Sequence, residues 1–279
     1  MMRRVVMSSQ PEALPLQLEA IGKNPDQETV YRPNGYPIFH WLQTTEGEGE
    51  LTINEMTWKM PAHTGVLLAP HIPHRYEAKS TNWQTCYITF QGSMAAALLE
   101  SFRFNQAERF QWHAGNQRIT QHFEDMLQFA ESAADPSGWQ SSAQLYSLLA
   151  LLRTDASTDN RPSMSKRMER MQHLLDWIEN EYANPDLGLM EMAARLGIGE
   201  RQLNERFREL FGLTAYAYLI QLRLRKAKEW LPSRPDWTVT RIGTAVGFRD
   251  TSHFVAMFRQ KEGMTPHTYR KLHGDGMQE

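Results

Sequence analysis

A cluster of polar side chains in the last third of the chain carries the groups that hydrogen-bond to the edges of nucleic-acid bases. The cluster is Arg201, Gln202, Asn204 and Glu205. Arginine suits guanine, glutamine or asparagine suits adenine, and glutamate accepts from the amino group of cytosine. Leu203 and Phe207 stand four residues apart, so on a helix they share a buried face and leave the polar side chains outside. The alternative is that these side chains only solvate a helix surface.

A second group occupies equivalent positions in a later stretch and is smaller and less charged. It consists of Thr251, Ser252, His253 and Ala256. Because these residues form fewer two-point hydrogen bonds, we expect the first group to discriminate base sequence more strongly. Arginines around both groups suit phosphates, which position a protein on DNA without reading its sequence. They are Arg206, Arg208, Arg249 and Arg259.

The elements that must position both groups are two copies of one pattern. At an offset of 50 residues Gly197 matches Gly247, and after one extra residue Leu203 matches Phe254 at an offset of 51. Each copy predicts a short amphipathic helix, a glycine turn and a second helix, with Asp250 as the N-cap of the last one. Helix, turn and helix in duplicate, joined by a long helix over residues 214–231, predict a tandem helix-turn-helix unit.

The second copy resembles the signature of the AraC/XylS family of bacterial transcription regulators. The resemblance lies in the run GFRDTSHF at residues 247–254, then Phe258, the run GMTP at 263–266, and LRLRKA at 222–227. It implies a DNA-binding domain and points to Arg201, Asn204 and Glu205 as the principal base contacts. Gly199 and Ala215 depart from the serine and proline that the family often has there, which affects helix starts.

Composition limits the remaining classes of function. The chain has 279 residues and one cysteine, which excludes an internal disulfide and fits a reducing cytoplasm. Residues 166–279 hold 18 Lys or Arg against 15 Asp or Glu, a net charge of +3, while residues 1–165 have a net charge of −5. This asymmetry supports DNA binding weakly. No stretch has the length of a signal peptide or a membrane span, so we expect a cytoplasmic protein.

Residues 31–92 contain short β-rich runs with turn residues between them, which predict a small barrel or jelly roll. The order of RPNGY at 32–36, GEG at 47–49, PHIPH at 70–74 and FQG at 90–92 is similar to the cupin-like effector domain of AraC-type regulators. The resemblance predicts an α+β protein with two domains. These are a cupin-like β-barrel with dimerisation helices (1–153), a linker (154–165) and an all-α domain with two helix-turn-helix motifs joined by a long helix (166–279).

The β-rich domain offers a candidate ligand pocket. Side-chain alternation places Thr85, Tyr87 and Thr89 on one side of a strand and Cys86 and Ile88 on the other. The resemblance to sugar-binding members places the first set inward, together with other polar and aromatic residues. The predicted ligand-binding residues are Arg32, Phe39, Trp41, His74, Tyr76, Thr85 and Tyr87. Such a set suits a carbohydrate effector, and the alternative is an ordinary aromatic core.

Two further alternatives concern the same domain. Its histidines at 40, 63, 71 and 74 lack the spacing and the carboxylate of a metal set, so we predict no metal and no cofactor. No catalytic dyad or phosphate-binding loop is present, and we predict a regulator rather than an enzyme. An effector-independent or metal-responsive regulator, whose barrel serves mainly dimerisation, is the alternative. The expected partners are operator DNA, a small effector, a second copy and RNA polymerase, with no membrane.

A leucine stripe near the end of the first domain has two interpretations. Leu145, Leu148, Leu149 and Leu152 recur at helical spacing. Such a stripe packs on the barrel or forms a dimer seam, and both can hold on different parts of the helix.

Overall fold

The computed structural model describes residues 2–7, 14–53, 55–159 and 161–274. The chain divides into two compact units, Met1–Lys166 and Arg167–Glu279. The predicted linker, residues 154–165, includes the end of one helix, a two-residue strand and the start of the next helix, and its Asn160 lies outside the described residues. Its role as a linker stays a prediction.

The strands of the first unit form two antiparallel sheets. They are β1 (Arg3–Val6), β2 (Gln17–Asn24), β3 (Val30–Arg32), β4 (Phe39–Glu46), β5 (Glu48–Ile53), β6 (Met56–Pro61), β7 (Thr64–Leu68), β8 (His74–Ala78), β9 (Gln84–Gln91), β10 (Ala107–Gln111) and β11 (Ser157–Thr158). One sheet has the order β1-β2-β9-β4-β7-β10-β11 and the other β3-β8-β5-β6. In the described residues these ladders do not close, so the predicted barrel is corrected to an open two-sheet arrangement of the cupin-like domain.

The central strands of the seven-stranded sheet are buried on both faces. One face meets the four-stranded sheet through a cluster that includes Leu42, Val66, Leu51 and Tyr76. The other face is covered by helices α1 (Ala95–Ser101), α2 (Arg118–Glu131) and α3 (Trp139–Asp155). A sheet with two covered faces has apolar residues at consecutive positions, which hides the alternation that a half-exposed strand shows.

The leucine stripe of α3 packs inside the first unit. Leu145, Leu148, Leu149 and Leu152 are at most 1 % exposed and belong to the core cluster between the helices and the seven-stranded sheet. The outward side of α3 carries Trp139 and Tyr146, which are 53 % and 48 % exposed. The stripe itself is therefore core, and any dimer contact of this helix has to use its other side.

The second unit is helical. Its helices are α4 (Met164–Glu181), α5 (Leu189–Arg195), α6 (Glu200–Phe211), α7 (Ala215–Ser233), α8 (Val239–Ala245), α9 (Thr251–Glu262) and α10 (Pro266–His273). α5 and α6 form the first copy and α8 and α9 the second, each around its own core. The long helix α7 contributes Leu219 and Leu222 to the first core and Ile220 and Leu224 to the second. One rigid helix thus joins the two copies.

The glycine turns have the backbone conformation that the pattern predicts. Gly197 has φ 63° and Gly247 has φ 96°, both in the left-handed region that glycine adopts without strain. At Gly247 a Cβ atom would also come within 2.4 Å of the carbonyl oxygen of Tyr182. Asp250 caps α9 as predicted, because its side chain accepts from the amide of His253.

Candidate DNA interface and ligand cavity

The outward face of α6 carries the predicted base-reading side chains. Arg201 is 93 % exposed, and its Nε donates to Glu205 Oε1 at 3.0 Å, one helical turn away. Gln202 is exposed beside them, while Leu203 and Phe207 are buried on the opposite side. An exposed ion pair of this kind contributes little to stability, so Arg201 and Glu205 can separate readily when either binds another group.

Asn204 differs from its neighbours because its side chain joins two helices. Its Oδ1 accepts a hydrogen bond of 3.0 Å from the amide of Ala215, the first residue of α7. A two-point contact with adenine uses the same oxygen and would have to share it. This bond also supplies an α7 cap at the position where Ala215 replaces the family's proline. Base contact by Asn204 stays a prediction, with this competing role beside it.

The outward face of α9 is flatter. Ser252, His253 and Ala256 are exposed and Thr251 is half-buried. The face forms a shallow depression whose lining residues are Thr251, Ser252, Val255, Ala256, Arg259 and Gln260. The ring of His253 packs edge-on against Phe248, with centroids 5.7 Å apart. Short side chains allow this helix to approach a partner closely but provide few hydrogen-bonding groups.

The four predicted phosphate contacts fall into two groups. Arg208 and Arg259 are exposed at equivalent positions of α6 and α9, whereas Arg206 is half-buried. Arg249 is exposed but engaged, since its Nε donates to the carbonyl oxygen of Pro185 at 3.1 Å and its Nη2 pairs with Asp186. Sequence reasoning missed this link because its two sides are more than sixty residues apart. Arg208 and Arg259 are the better placed pair.

A buried arginine of α7 ties the two copies together. Arg223 is 3 % exposed, and its guanidinium donates to the carbonyl oxygens of Tyr182 at 2.8 Å and Asn184 at 2.7 Å. Its Cζ also lies 6.0 Å from the centre of the Phe248 ring, next to the turn of the second copy. Burial lowers the pKa of Arg223 from its ordinary value. Arg223 therefore has a structural role and is not available to bind phosphates.

A cavity of about 210 Å³ opens between the two sheets of the first unit. Three predicted residues line it, Arg32, Tyr76 and Tyr87. Two others support the lining. Thr85 donates to Gln27 Oε1 at 2.7 Å, and the His74 ring stacks on Tyr76 with centroids 6.0 Å apart. The alternation predicted for β9 is also observed, because Cys86 and Ile88 lie in the core under the helices.

Phe39 and Trp41 are corrected, because they lie on the opposite face of β4. Trp41 is 1 % exposed and packs against Phe110 and Trp112 under the helices, and Phe39 stacks on Phe90 at 5.2 Å. The cross-strand register explains the reversal. Residues directly opposite each other share a face, and the residues of β4 opposite Tyr87 and Thr89 are Leu42 and His40, respectively.

Several lining residues were missed by the sequence reasoning. They include Gln27, Tyr36, His40 and Leu42, whereas Thr89 also lines the cavity but was not among the predicted ligand-binding residues. The alternation of β9 had already placed Thr89 on the inward face with Tyr87. Nothing in the sequence indicated His40, because β4 is buried on both faces and its pattern does not alternate.

The polar groups around the cavity favour hydrogen-bond donation. Arg32 Nη1 lies 3.3 Å from His40 Nδ1, and its Cζ lies 4.8 Å from the centre of the Tyr36 ring. Burial lowers the pKa of His40 well below its ordinary value, and the charge of Arg32 adds to that effect. Burial raises the pKa of Tyr76 and of Tyr87. Both tyrosines and His40 are therefore neutral near pH 7.

No group of three or more His, Cys, Asp or Glu side chains in the described residues has a geometry suited to a metal ion. Within the same residues, no helix combines the length and the apolar character that spanning a membrane requires.

Comparison with known proteins identifies both units. A model described as an AraC-like ligand binding domain matches residues 17–149, and one described as a helix-turn-helix domain matches residues 192–272. The chain belongs to the AraC family. It is a DNA-binding transcription regulator with an effector-binding domain in its first unit, and the relatives it matches are regulators rather than enzymes.

Two AraC-family relatives show the range of similarity. The Msm operon regulatory protein of Streptococcus mutans is 27 % identical over 240 residues, which cover 84 % of each chain. The HTH-type transcriptional activator RhaS of Escherichia fergusonii is 33 % identical over 122 residues, or 44 % of this chain and 40 % of that protein. Among solved structures, the DNA-binding domain of AdpA in complex with a target DNA is 25 % identical with a TM-score of 0.35. The match covers 37 % of this chain and 91 % of the AdpA chain.

Proposed function

We propose that α6 and α9 of each subunit enter successive major grooves on one face of operator DNA, about 34 Å apart. The observation that carries this proposal is the duplicated unit on one helix. α7 contributes to both cores, and the outward face of each second helix is exposed. Arg201, Gln202 and Glu205 read bases in the first groove, while Thr251, Ser252, His253 and Ala256 contact the second. Arg208 and Arg259 bind phosphates, with Arg206 and Arg249 contributing less.

A footprint on operator DNA tests this arrangement. Two protected segments per subunit, roughly one helical turn apart, are expected. Protection of a single groove per subunit would contradict the two-reader arrangement. A chain with Ser252→Glu and Ala256→Glu serves as the comparison, because negative charge on α9 repels phosphates. This double variant should lose protection of the second segment only.

The effector of the first unit is a carbohydrate in the cavity between the sheets. The support is the lining itself. The aromatic rings of Tyr36, Tyr76 and Tyr87 can cover the C–H face of a sugar, and Arg32, Gln27 and neighbouring groups can bind its hydroxyls. A volume of about 210 Å³ lies below the roughly 300–1,000 Å³ of pockets for drug-sized ligands, so the ligand is the size of a monosaccharide.

Thermal stabilisation by a sugar panel tests the effector proposal. A ligand that binds the folded state raises the melting temperature, and Tyr87→Ala should remove that rise while DNA binding persists. Tyr31→Ala is the matched control, since Tyr31 is 71 % exposed and does not line the cavity. If no carbohydrate stabilises the wild type, and Tyr87→Ala only lowers the melting temperature of the free protein, the cavity is an aromatic core and the regulator is effector-independent.

The active form is a cytoplasmic homodimer that contacts RNA polymerase. The support for a dimer is the outward side of α3, where Trp139 and Tyr146 remain half exposed in the single chain. Tyr146→Arg should shift the protein toward monomer in sedimentation experiments, whereas Met190→Arg, an exposed change in the second unit, should not. Transcription in vitro from a promoter with the operator tests the contact with RNA polymerase.

A further inference from the structure

Arg32 carries a charge that no carboxylate of the described chain balances. None of the ion pairs among the described residues includes it. The side chain is half-buried, and its observed contacts are the neutral ring of His40 and the face of Tyr36. A partly desolvated guanidinium with neutral neighbours is best satisfied by an anion, which forms short two-point hydrogen bonds with it.

The neighbours of Arg32 add donors rather than negative charge. A guanidinium can only donate, so His40 Nδ1 accepts from it and the His40 proton lies on Nε2. The phenol of Tyr76 is neutral near pH 7, because burial raises its pKa. Arg4 is exposed and also lines the cavity, which brings a second positive charge to the same site.

One carboxylate touches a lining residue in the part of the chain that the structure describes. Glu19 accepts a hydrogen bond from the hydroxyl of Thr89, but Glu19 itself does not line the cavity. Among the described residues, the cavity lining has two arginines and no carboxylate, so the local field favours a negative charge even with Glu19 nearby.

We propose that the effector is a monosaccharide-sized sugar acid whose carboxylate binds Arg32. This inference rests on the carbohydrate effector proposed above and specifies its charge. Arg32 is the half-buried guanidinium of the site, and its planar donor pair matches the two oxygens of a carboxylate. The polyol remainder of the ligand lies against Tyr36, Tyr76 and Tyr87, and the small volume excludes an oligosaccharide.

Matched pairs of ligands test the inference on the full-length protein. Calorimetry with galacturonate against galactose, and glucuronate against glucose, isolates the carboxylate. We expect at least one hexuronate to bind about tenfold or more tightly than its neutral hexose, because hydrogen bonds between charged partners are the strong ones. Acetate tests the anion without the sugar, and glucose 6-phosphate tests the phosphate. Both should bind more weakly than the hexuronate.

Four variants test whether the preference for the hexuronate depends on Arg32. Arg32→Gln should remove most of the preference for the hexuronate, while Arg32→Lys should keep part of it, because the charge remains and the two-point geometry is lost. Arg75→Gln is the matched control. Arg75 lies on the strand next to Arg32 but pairs with Glu77 on an exposed surface, and its removal should change nothing. Glu19→Gln should tighten hexuronate binding and leave the neutral sugar unchanged.

The outcomes separate this inference from the proposal on which it rests. If a neutral hexose binds as tightly as its hexuronate, or if Arg32→Gln and Arg32→Lys leave the difference intact, the sugar-acid assignment is overturned and the carbohydrate effector stands. Tighter binding of glucose 6-phosphate or acetate also overturns it. If no hexose or hexuronate binds a protein that still binds DNA, the carbohydrate effector itself fails.

Discussion

The two helix-turn-helix copies share one apolar frame but present different surfaces. Both bury an aromatic residue at the same place in the second helix, Phe207 in α6 and Phe258 in α9, each 0 % exposed. Their outward faces diverge. α6 carries the ion pair of Arg201 and Glu205, whereas the equivalent positions of α9 are Ser252 and Ala256. Packing therefore fixes the position of both helices, and the exposed residues give each a separate task.

The N-termini of the helices also differ between the copies, and here the second copy has the stronger groups. α9 has a side-chain cap from Asp250 and α8 one from Thr238, while α5 and α6 begin at glycines, which have no capping side chain. At α5 the Glu191 carboxylate instead accepts a hydrogen bond of 3.0 Å from the Gly188 amide. The copy with the stronger base-reading groups is thus the one whose N-cap residues provide no capping side chain. In this repeated fold, the residues that recognise DNA and the residues that cap the helices are therefore concentrated in different copies.

The largest expected effect comes from the residue that joins the copies. Arg223→Gln leaves buried carbonyl oxygens without their donors and should lower the free energy of unfolding by about 2–5 kcal/mol. Arg225→Gln on the exposed side of the same helix, where Arg225 pairs with Glu179, should lower it by less than about 1 kcal/mol. Denaturant unfolding measures both. Equal effects would mean that Arg223 does not hold the two copies together.

The next effect separates reading from positioning. Arg201→Ala should weaken binding to the specific site by about 1–3 kcal/mol and relax the preference at one base pair. Ser252→Ala at the equivalent position should have a smaller effect, because serine lacks two-point contacts. Arg259→Ala should weaken specific and random DNA alike and flatten the salt dependence. Binding titrations at several salt concentrations test this, and similar profiles for Arg201→Ala and Arg259→Ala would contradict the assigned roles.

A smaller effect concerns the cap of the second copy. Asp250→Ala removes the acceptor of the His253 amide and should destabilise the protein by about 1 kcal/mol. Asp250→Ser keeps a capping oxygen and should restore most of that stability. If the serine variant is no more stable than the alanine variant, the hydrogen bond is not the source of the effect.

The smallest expected effect comes from a substitution that gives the first copy a capping side chain like that of the second. Gly199 has extended backbone and open space around its Cβ position, so a larger residue fits there. Gly199→Ser should raise the free energy of unfolding by a few tenths of a kcal/mol, because serine caps only slightly better than glycine. Gly247→Ser is the contrasting change, since its Cβ would collide with the backbone at Tyr182. A destabilised Gly199→Ser variant would argue against the comparison.

The sequence alone determined the elements that local chemistry controls. The repeat, the turns at Gly197 and Gly247 and the cap at Asp250 follow from helical spacing, glycine conformation and side-chain acceptors near helix starts. These signals lie within a few residues of the structure that they specify, so one chain suffices to recognise them. The inward set of β9 was also predictable, although only the family resemblance gave its direction.

Tertiary structure decided which faces meet and which polar groups are already engaged. On β4 both faces are buried, so the strand pattern does not distinguish His40 from Trp41, and only the register with β9 places His40 beside the cavity. Asn204 and Arg249 look like free DNA contacts in the sequence, yet each bonds a backbone group of another element. Because these contacts join different helices, strands or loops, they depend on the packing of whole elements and not on local propensity.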